Sequence, residues 1–224
     1  MRIALFGGTF DPIHAGHLET ARTAARQYRL DQVVFVPTGS PPHKYGNRLT
    51  PFCHRLAMVA LACAGERRFI PSLLEAPTSD GRPHYSIQTT LAMKRALRRQ
   101  DHLFFLIGID AFLDLPHWRQ YRRLLDEVDF IVVSRPGFDA DEIRSIVPKG
   151  LLDATARHTM SEVLRLRHTA LYLLRGVDVP VASRDIREAV RRGRPVTGLV
   201  PPLVEEYIRK EGLYGPAAAR RGRR

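Results

Sequence analysis

The chain reads as an α/β protein, a doubly wound and mostly parallel sheet with helices on both faces. Short apolar runs such as Ile3-Ala4-Leu5-Phe6 and Leu103-Phe104-Phe105-Leu106-Ile107 alternate with longer amphipathic stretches. Strands buried on both faces read as unbroken apolar runs, and helices between them imply crossovers joining parallel strands. The segments richest in Gly, His, Pro and Asp also follow directly on the strand runs, where such sheets bind ligands.

Taken in order, strands are predicted over residues 2–6, 32–36, 69–74, 103–107, 130–133 and 170–174, each built around an apolar run. Helices are predicted over 16–28, 51–64, 87–98, 111–115 with a continuation near 120–125, 141–146, 184–192 and 202–210. The stretch 138–168 has irregular periodicity and reads as an insertion or mobile segment. Residues 1–215 read as one domain, and 216–224 as a basic, disordered tail.

The 224 residues, 44% of them hydrophobic, suffice for one sizeable core. No apolar stretch is long enough to span a membrane, and the N-terminus enters a strand without a charged-then-apolar leader, so a cytoplasmic protein is expected. Cys53 and Cys63 fall ten residues apart on one predicted helix and belong to no C-x-x-C pattern; both are expected to be buried, reduced thiols. The net charge of +12 fits a nucleic-acid binder or an enzyme of polyanionic substrates. Arg220, Arg221, Arg223 and Arg224 supply part of the excess. The groups Arg95/Arg98/Arg99, Arg119/Arg122/Arg123 and Arg191/Arg192/Arg194 read as solvated helix faces. No RNA-binding aromatic motif, zinc-finger spacing or helix-turn-helix accompanies them.

The most informative stretch is Gly7-Gly8-Thr9-Phe10-Asp11-Pro12-Ile13-His14-Ala15-Gly16-His17, directly after the first strand. Glycines at a strand end let the backbone approach a phosphate, and a helix start offers unpaired N–H groups to an anion. His14 and His17, about one turn apart, could both face it. The run lacks the G-x-G-x-x-G of dinucleotide binders, and the chain has no G-x-x-x-x-G-K-[ST] phosphate loop. Zinc ligation by the two histidines has no supporting Cys/His cluster; histidines satisfied within the core are the structural alternative.

With His14-Ala15-Gly16-His17 after a glycine-rich turn, the chain resembles the nucleotidyltransferases that carry an H-x-G-H signature. From Met1 to about Gly215 it is similar to the bacterial nicotinate-nucleotide adenylyltransferases. Beside the first motif stand Pro41-Pro42-His43-Lys44, His84-Tyr85-Ser86-Ile87-Gln88-Thr89, Gly108-Ile109-Asp110 with Leu115-Pro116-His117-Trp118, and an ending from Gly198-Leu199-Val200-Pro201 to Gly212-Leu213-Tyr214. The resemblance implies a Rossmann-like nucleotidyltransferase fold and adenylyl transfer from ATP to nicotinate mononucleotide, with pyrophosphate leaving, in NAD biosynthesis.

It further implies that His14 and His17 act on the transferring phosphoryl group, and that Gly7, Gly8, Thr9, Phe10, Gly108, Asp110, Ser183 and Arg187 join them in binding ATP. Lys44, Tyr85, Ser86, Thr89 and Trp118 would bind the second substrate, the Tyr85 and Ser86 amides taking the nicotinate carboxylate and Trp118 stacking on the ring. Mg²⁺ would arrive with ATP, and no protein ligand to it is named. The expected partners are the two substrates, without nucleic acid or membrane and with a homo-oligomer left open. The family's late I-S-S-T-x-I-R signature appears as Val181-Ala182-Ser183-Arg184-Asp185-Ile186-Arg187. Two hydroxyl donors are thereby lost, and Arg184 either replaces them or points to solvent. Phosphopantetheine adenylyltransferase shares the first motif and remains the alternative; a basic nucleic-acid-binding module is the alternative of another class.

Overall fold

The computed structural model describes residues 1–39, 49–134, 140–153, 163–177 and 179–215. The strands are β1 (Arg2–Gly8), β2 (Gln32–Pro37), β3 (Phe69–Pro71), β4 (His102–Gly108), β5 (Asp129–Val133), β6 (Val163–Arg165) and β7 (Ala170–Leu174). The helices are α1 (Ala15–Gln27), α2 (Phe52–Cys63), α3 (Ser86–Ala96), α4 (Ile109–Leu113), α5 (Tyr121–Glu127), α6 (Ala140–Ile146), α7 (Ser183–Arg191) and α8 (Pro202–Lys210). One seven-stranded sheet has the order β3-β2-β1-β4-β5-β7-β6. Every pairing is parallel except β6 with β7.

Side-chain alternation along the strands builds two cores, one per face. On β1, Ala4 and Phe6 join the side packed by α1, α2, α7 and α8, through Leu18, Met58, Ile186 and Val204. Ile3 and Leu5 join the side packed by α3, α4, α5 and α6, through Ile87, Phe112, Leu124 and Ile143. Because β1 and β4 are neighbours whose crossovers leave in opposite directions, the strand order reverses between them. Their carboxyl ends therefore splay into a crevice, which places Gly7 to His17 and Gly108 to Trp118 on either side of it.

Two expectations are corrected and one element is added. The strand predicted over 69–74 stops at Pro71, after which the Ser72 N–H makes one last bond to the Phe35 carbonyl and Ser72 Oγ accepts the Leu74 N–H. Within the stretch 138–168 the helix predicted over 141–146 stands as α6, and the added element is the antiparallel edge strand β6, which is only three residues long and buries only Leu164. Cys53 is exposed, while Cys63 is buried. The inward stripe of α2 is Arg55, Met58, Val59, Ala62 and Cys63, and Cys53 lies off that phase. The predicted tail at 216–224 lies outside the described residues.

Candidate active site

Strand β1 ends in glycine, and the following turn reverses into α1 with Phe10 in the left-handed region at φ 47°. That conformation is unfavourable for a side chain of this size. Packing holds it, because the Phe10 ring is buried and meets Phe6, Phe35 and His17 edge-on or tilted at centroid distances of 5.0–5.7 Å. Phe10, expected among the ATP contacts, therefore places its ring in the core; only its main chain faces the turn.

The turn is fixed by residues whose roles sequence reasoning missed. Asp11 is 3% exposed, and its carboxylate accepts the Tyr214 hydroxyl at 2.6 Å and the Thr50 N–H at 3.2 Å. Arg55, 1% exposed, donates to the carbonyls of Thr9 at 2.8 Å and Thr50 at 2.9 Å. Ser183 Oγ donates to the Pro12 carbonyl at 2.9 Å, and Arg187 donates to the Asp11 carbonyl at 2.7 Å. Ser183 and Arg187, expected at the ATP phosphates, thus spend these donors on the main chain of the motif, and neither lines a cavity of the crevice. Arg184 is exposed and pairs with Asp185.

His14 caps α1, and the His14 N–H donates to His17 Nδ1 at 3.3 Å. The two rings stack, with centroids 3.7 Å apart and planes at 28°. Burial lowers the His14 pKa to about 4; burial, with the neighbouring His14, holds His17 well below the ordinary imidazole value. Both rings are therefore neutral near pH 7. With Nδ1 of His17 accepting, its proton sits on Nε2, so the ring offers a neutral N–H donor rather than a cation.

Two cavities open at the crevice and share Gly7 and Gly108. One, of about 670 Å³, is lined by His14, His17, Asp110, Ser134, Ala182 and Asp185 among others. The second, of about 330 Å³, is lined by Gly8, Thr9, Tyr85, Ser86, Thr89 and Trp118, joined by Glu75, His84, Asp114 and Arg119. A Cβ on Gly7 or Gly108 would meet no atom within 4 Å. These two positions are open windows between the cavities, and the absent side chains leave room for a ligand crossing from one to the other.

In the smaller cavity, Tyr85 caps α3, and the N–H groups of the first turn point out of the helix start. Trp118 is partly buried, edge-on to Phe105 at 6.3 Å, and its indole N–H donates to Asp114 at 3.3 Å. Glu75 is 6% exposed and accepts Thr89 Oγ1 at 2.8 Å. Burial raises its pKa, against the opposing hydrogen bonds from Thr89 and Thr38. Gly39 is obligatory nearby, since a Cβ there would come within 2.0 Å of the Glu75 carbonyl oxygen. Arg119, read from sequence as part of a solvated helix face, is exposed but lies between helices and lines this cavity, with its guanidinium 4.7 Å from the Tyr85 ring centroid. Lys44 lies outside the described residues.

Comparison with known proteins agrees with this layout. Residues 5–191 match the family model described as Cytidylyltransferase-like. A probable nicotinate-nucleotide adenylyltransferase of Desulfotalea psychrophila is 39% identical over 216 residues, 95% of this chain and 99% of the relative. One of the same description from Solibacter usitatus is 38% identical over 214 residues, covering 96% and 100%. Among solved structures, Plasmodium falciparum nicotinic acid mononucleotide adenylyltransferase complexed with NaAD aligns with a TM-score of 0.69 at 19% identity, covering 95% of this chain and 97% of that one. At that identity the likeness speaks for the fold.

Proposed function

Since this chain belongs to the Cytidylyltransferase-like family and, within it, to the nicotinate-nucleotide adenylyltransferases, we propose that it transfers the adenylyl group of ATP to nicotinate mononucleotide, yielding nicotinate adenine dinucleotide and pyrophosphate. The observation that carries this reading is the pair of cavities meeting across Gly7 and Gly108, with the stacked histidines in one and the Tyr85/Ser86/Trp118 wall in the other. A donor and an acceptor nucleotide bound there would meet at the glycine windows.

In the proposed reaction, a phosphate oxygen of nicotinate mononucleotide attacks the α-phosphorus of ATP. The bond from that phosphorus to the bridging oxygen of the β-phosphate breaks, and its electron pair leaves with pyrophosphate. The chain's task is alignment and relief of developing negative charge. His17, with its Nε2–H, and His14 supply donors at the transferring group without a counter-charge that would hold the ground state equally well. Gly7, Gly8 and Thr9 offer main chain to the phosphates, and Asp110 accepts from a ribose hydroxyl. Thr89 acts through Glu75 and the start of α3. Ser183 and Arg187 hold the turn that carries the histidines.

An Mg²⁺ that enters on ATP phosphates and keeps its waters needs one or two carboxylates. Asp185 lines the larger cavity and would offer one carboxylate to the ion's water shell; the ion would neutralise phosphate charge. Among the described residues no helix is long and apolar enough to cross a membrane, and the demand for ATP makes the cytoplasm the proposed compartment. Residues 1–215 are proposed to act as one unit. Incubation with ATP, Mg²⁺ and nicotinate mononucleotide, read by mass spectrometry, is expected to give one dinucleotide per pyrophosphate. A folded His17→Ala variant is expected to lose at least about a hundredfold in turnover. A near-normal rate would overturn the role of His17.

A further inference from the structure

The smaller cavity poses a charge problem for a ligand that carries a carboxylate. Two of its lining groups are acids. Glu75 sits at its floor, bonded to Thr89, and Asp114 sits at its rim, where it accepts the Trp118 indole N–H and pairs with His117 at 2.9 Å. Burial disfavours the charged form of Glu75, whereas Asp114 is exposed. Helix amides at the start of α3 contribute only partial charges. Among the described lining residues, Arg119 is the one guanidinium or ammonium group.

Its placement is specific. The guanidinium lies over the ring of Tyr85, the residue that caps α3, and so stands beside the unpaired amides of that helix start. A guanidinium held against an aromatic ring keeps N–H donors for a second partner. On the outer side, the acid among the described residues lining the adjoining hollow is Asp80, which is already engaged by Arg82 at 3.0 Å and by the Thr78 hydroxyl at 2.5 Å. Arg119 lines both the hollow and the cavity, and in the hollow the acid is already committed elsewhere.

We propose that Arg119, laid across Tyr85 at the mouth of the acceptor cavity, is a specificity-determining residue that makes the cavity prefer a pyridine carboxylate to the corresponding carboxamide. A guanidinium donates to either group, but only the carboxylate makes the bond charge-assisted, and that difference discriminates. The inference rests on the acceptor reading given under "Proposed function".

The test compares kcat/KM for nicotinate and nicotinamide mononucleotides in the wild type, Arg119→Gln and Arg119→Lys, at low and high salt. Because Arg119 is exposed, the variants should match the wild type in thermal unfolding. The acid-to-amide ratio is expected to fall about tenfold in Arg119→Gln, the size of one charge-assisted hydrogen bond. The loss should appear in KM for the acid, with Arg119→Lys in between. The wild-type ratio should also shrink with salt and that of Arg119→Gln should not. An unchanged ratio, or equal losses on both substrates, would overturn the proposal and make Arg119 a mere prop for Tyr85. A wild type that adenylylates neither nucleotide would overturn the acceptor reading, and this inference with it.

Discussion

Two imidazoles stacked 3.7 Å apart in a buried turn are poor cations and good neutral donors, and that has a measurable consequence at the residue scale. An ordinary histidine of the unfolded chain titrates near 6.5, whereas His14 in the fold titrates at about 4 and His17 is also depressed. Below pH 6.5 the unfolded chain thus binds more protons than the native one, so stability falls as pH drops toward 4. Thermal unfolding between pH 7.5 and 4.5 should show that decline, and His14→Asn should flatten it; an identical slope in the variant would place the titration elsewhere. The glycine windows make a complementary prediction. Gly108 has φ −72° and ψ 151°, which any residue adopts, and open space where a Cβ would stand. Gly108→Ala should therefore leave the unfolding temperature within about 2 °C, while activity falls at least about tenfold because a methyl group enters the ligand's path.

At the scale of elements, the first motif is held from outside its own helix, by Ser183 and Arg187 of α7, Arg55 of α2 and Tyr214 beyond α8. Arg187 donates to a carbonyl of the buried turn, so Arg187→Ala should destabilise by about 1–3 kcal/mol. The exposed Arg184→Ala should stay within about 0.5 kcal/mol. Chemical denaturation of both variants checks this, and equal effects would contradict the assignment of Arg187 to the turn. Most elements were legible in the sequence, because apolar runs and helical periodicity are one-dimensional signals of burial. β6 was not, since three residues on an antiparallel edge with one inward side chain make no period. Residues that act through tertiary contact were equally silent. Glu75 reaches the cavity from a segment with no motif around it, Arg119 follows the Leu115–Trp118 motif without being part of its pattern, and Asp11 stood inside the first motif without revealing Tyr214 as its partner 203 residues away. One signal was readable in retrospect: Arg55 occupies the inward phase of α2 with Met58, Val59 and Ala62, where a charge requires a buried partner.

For the whole molecule, a single reversal of strand order does most of the functional work, gathering the ends of β1, β2, β4 and β5 at one crevice. The charge of +12 suits an enzyme whose two substrates and product are phosphate anions, and among the described residues Arg95, Arg98, Arg99, Arg122, Arg123, Arg191, Arg192 and Arg194 are exposed. The central claim is that the two cavities match ATP on one side and a pyridine mononucleotide on the other. Pyrophosphate release from ATP and Mg²⁺, with nicotinate mononucleotide, nicotinamide mononucleotide and phosphopantetheine offered in parallel, tests it most directly. The account predicts fastest release with nicotinate mononucleotide and none with phosphopantetheine; release with phosphopantetheine alone would contradict it.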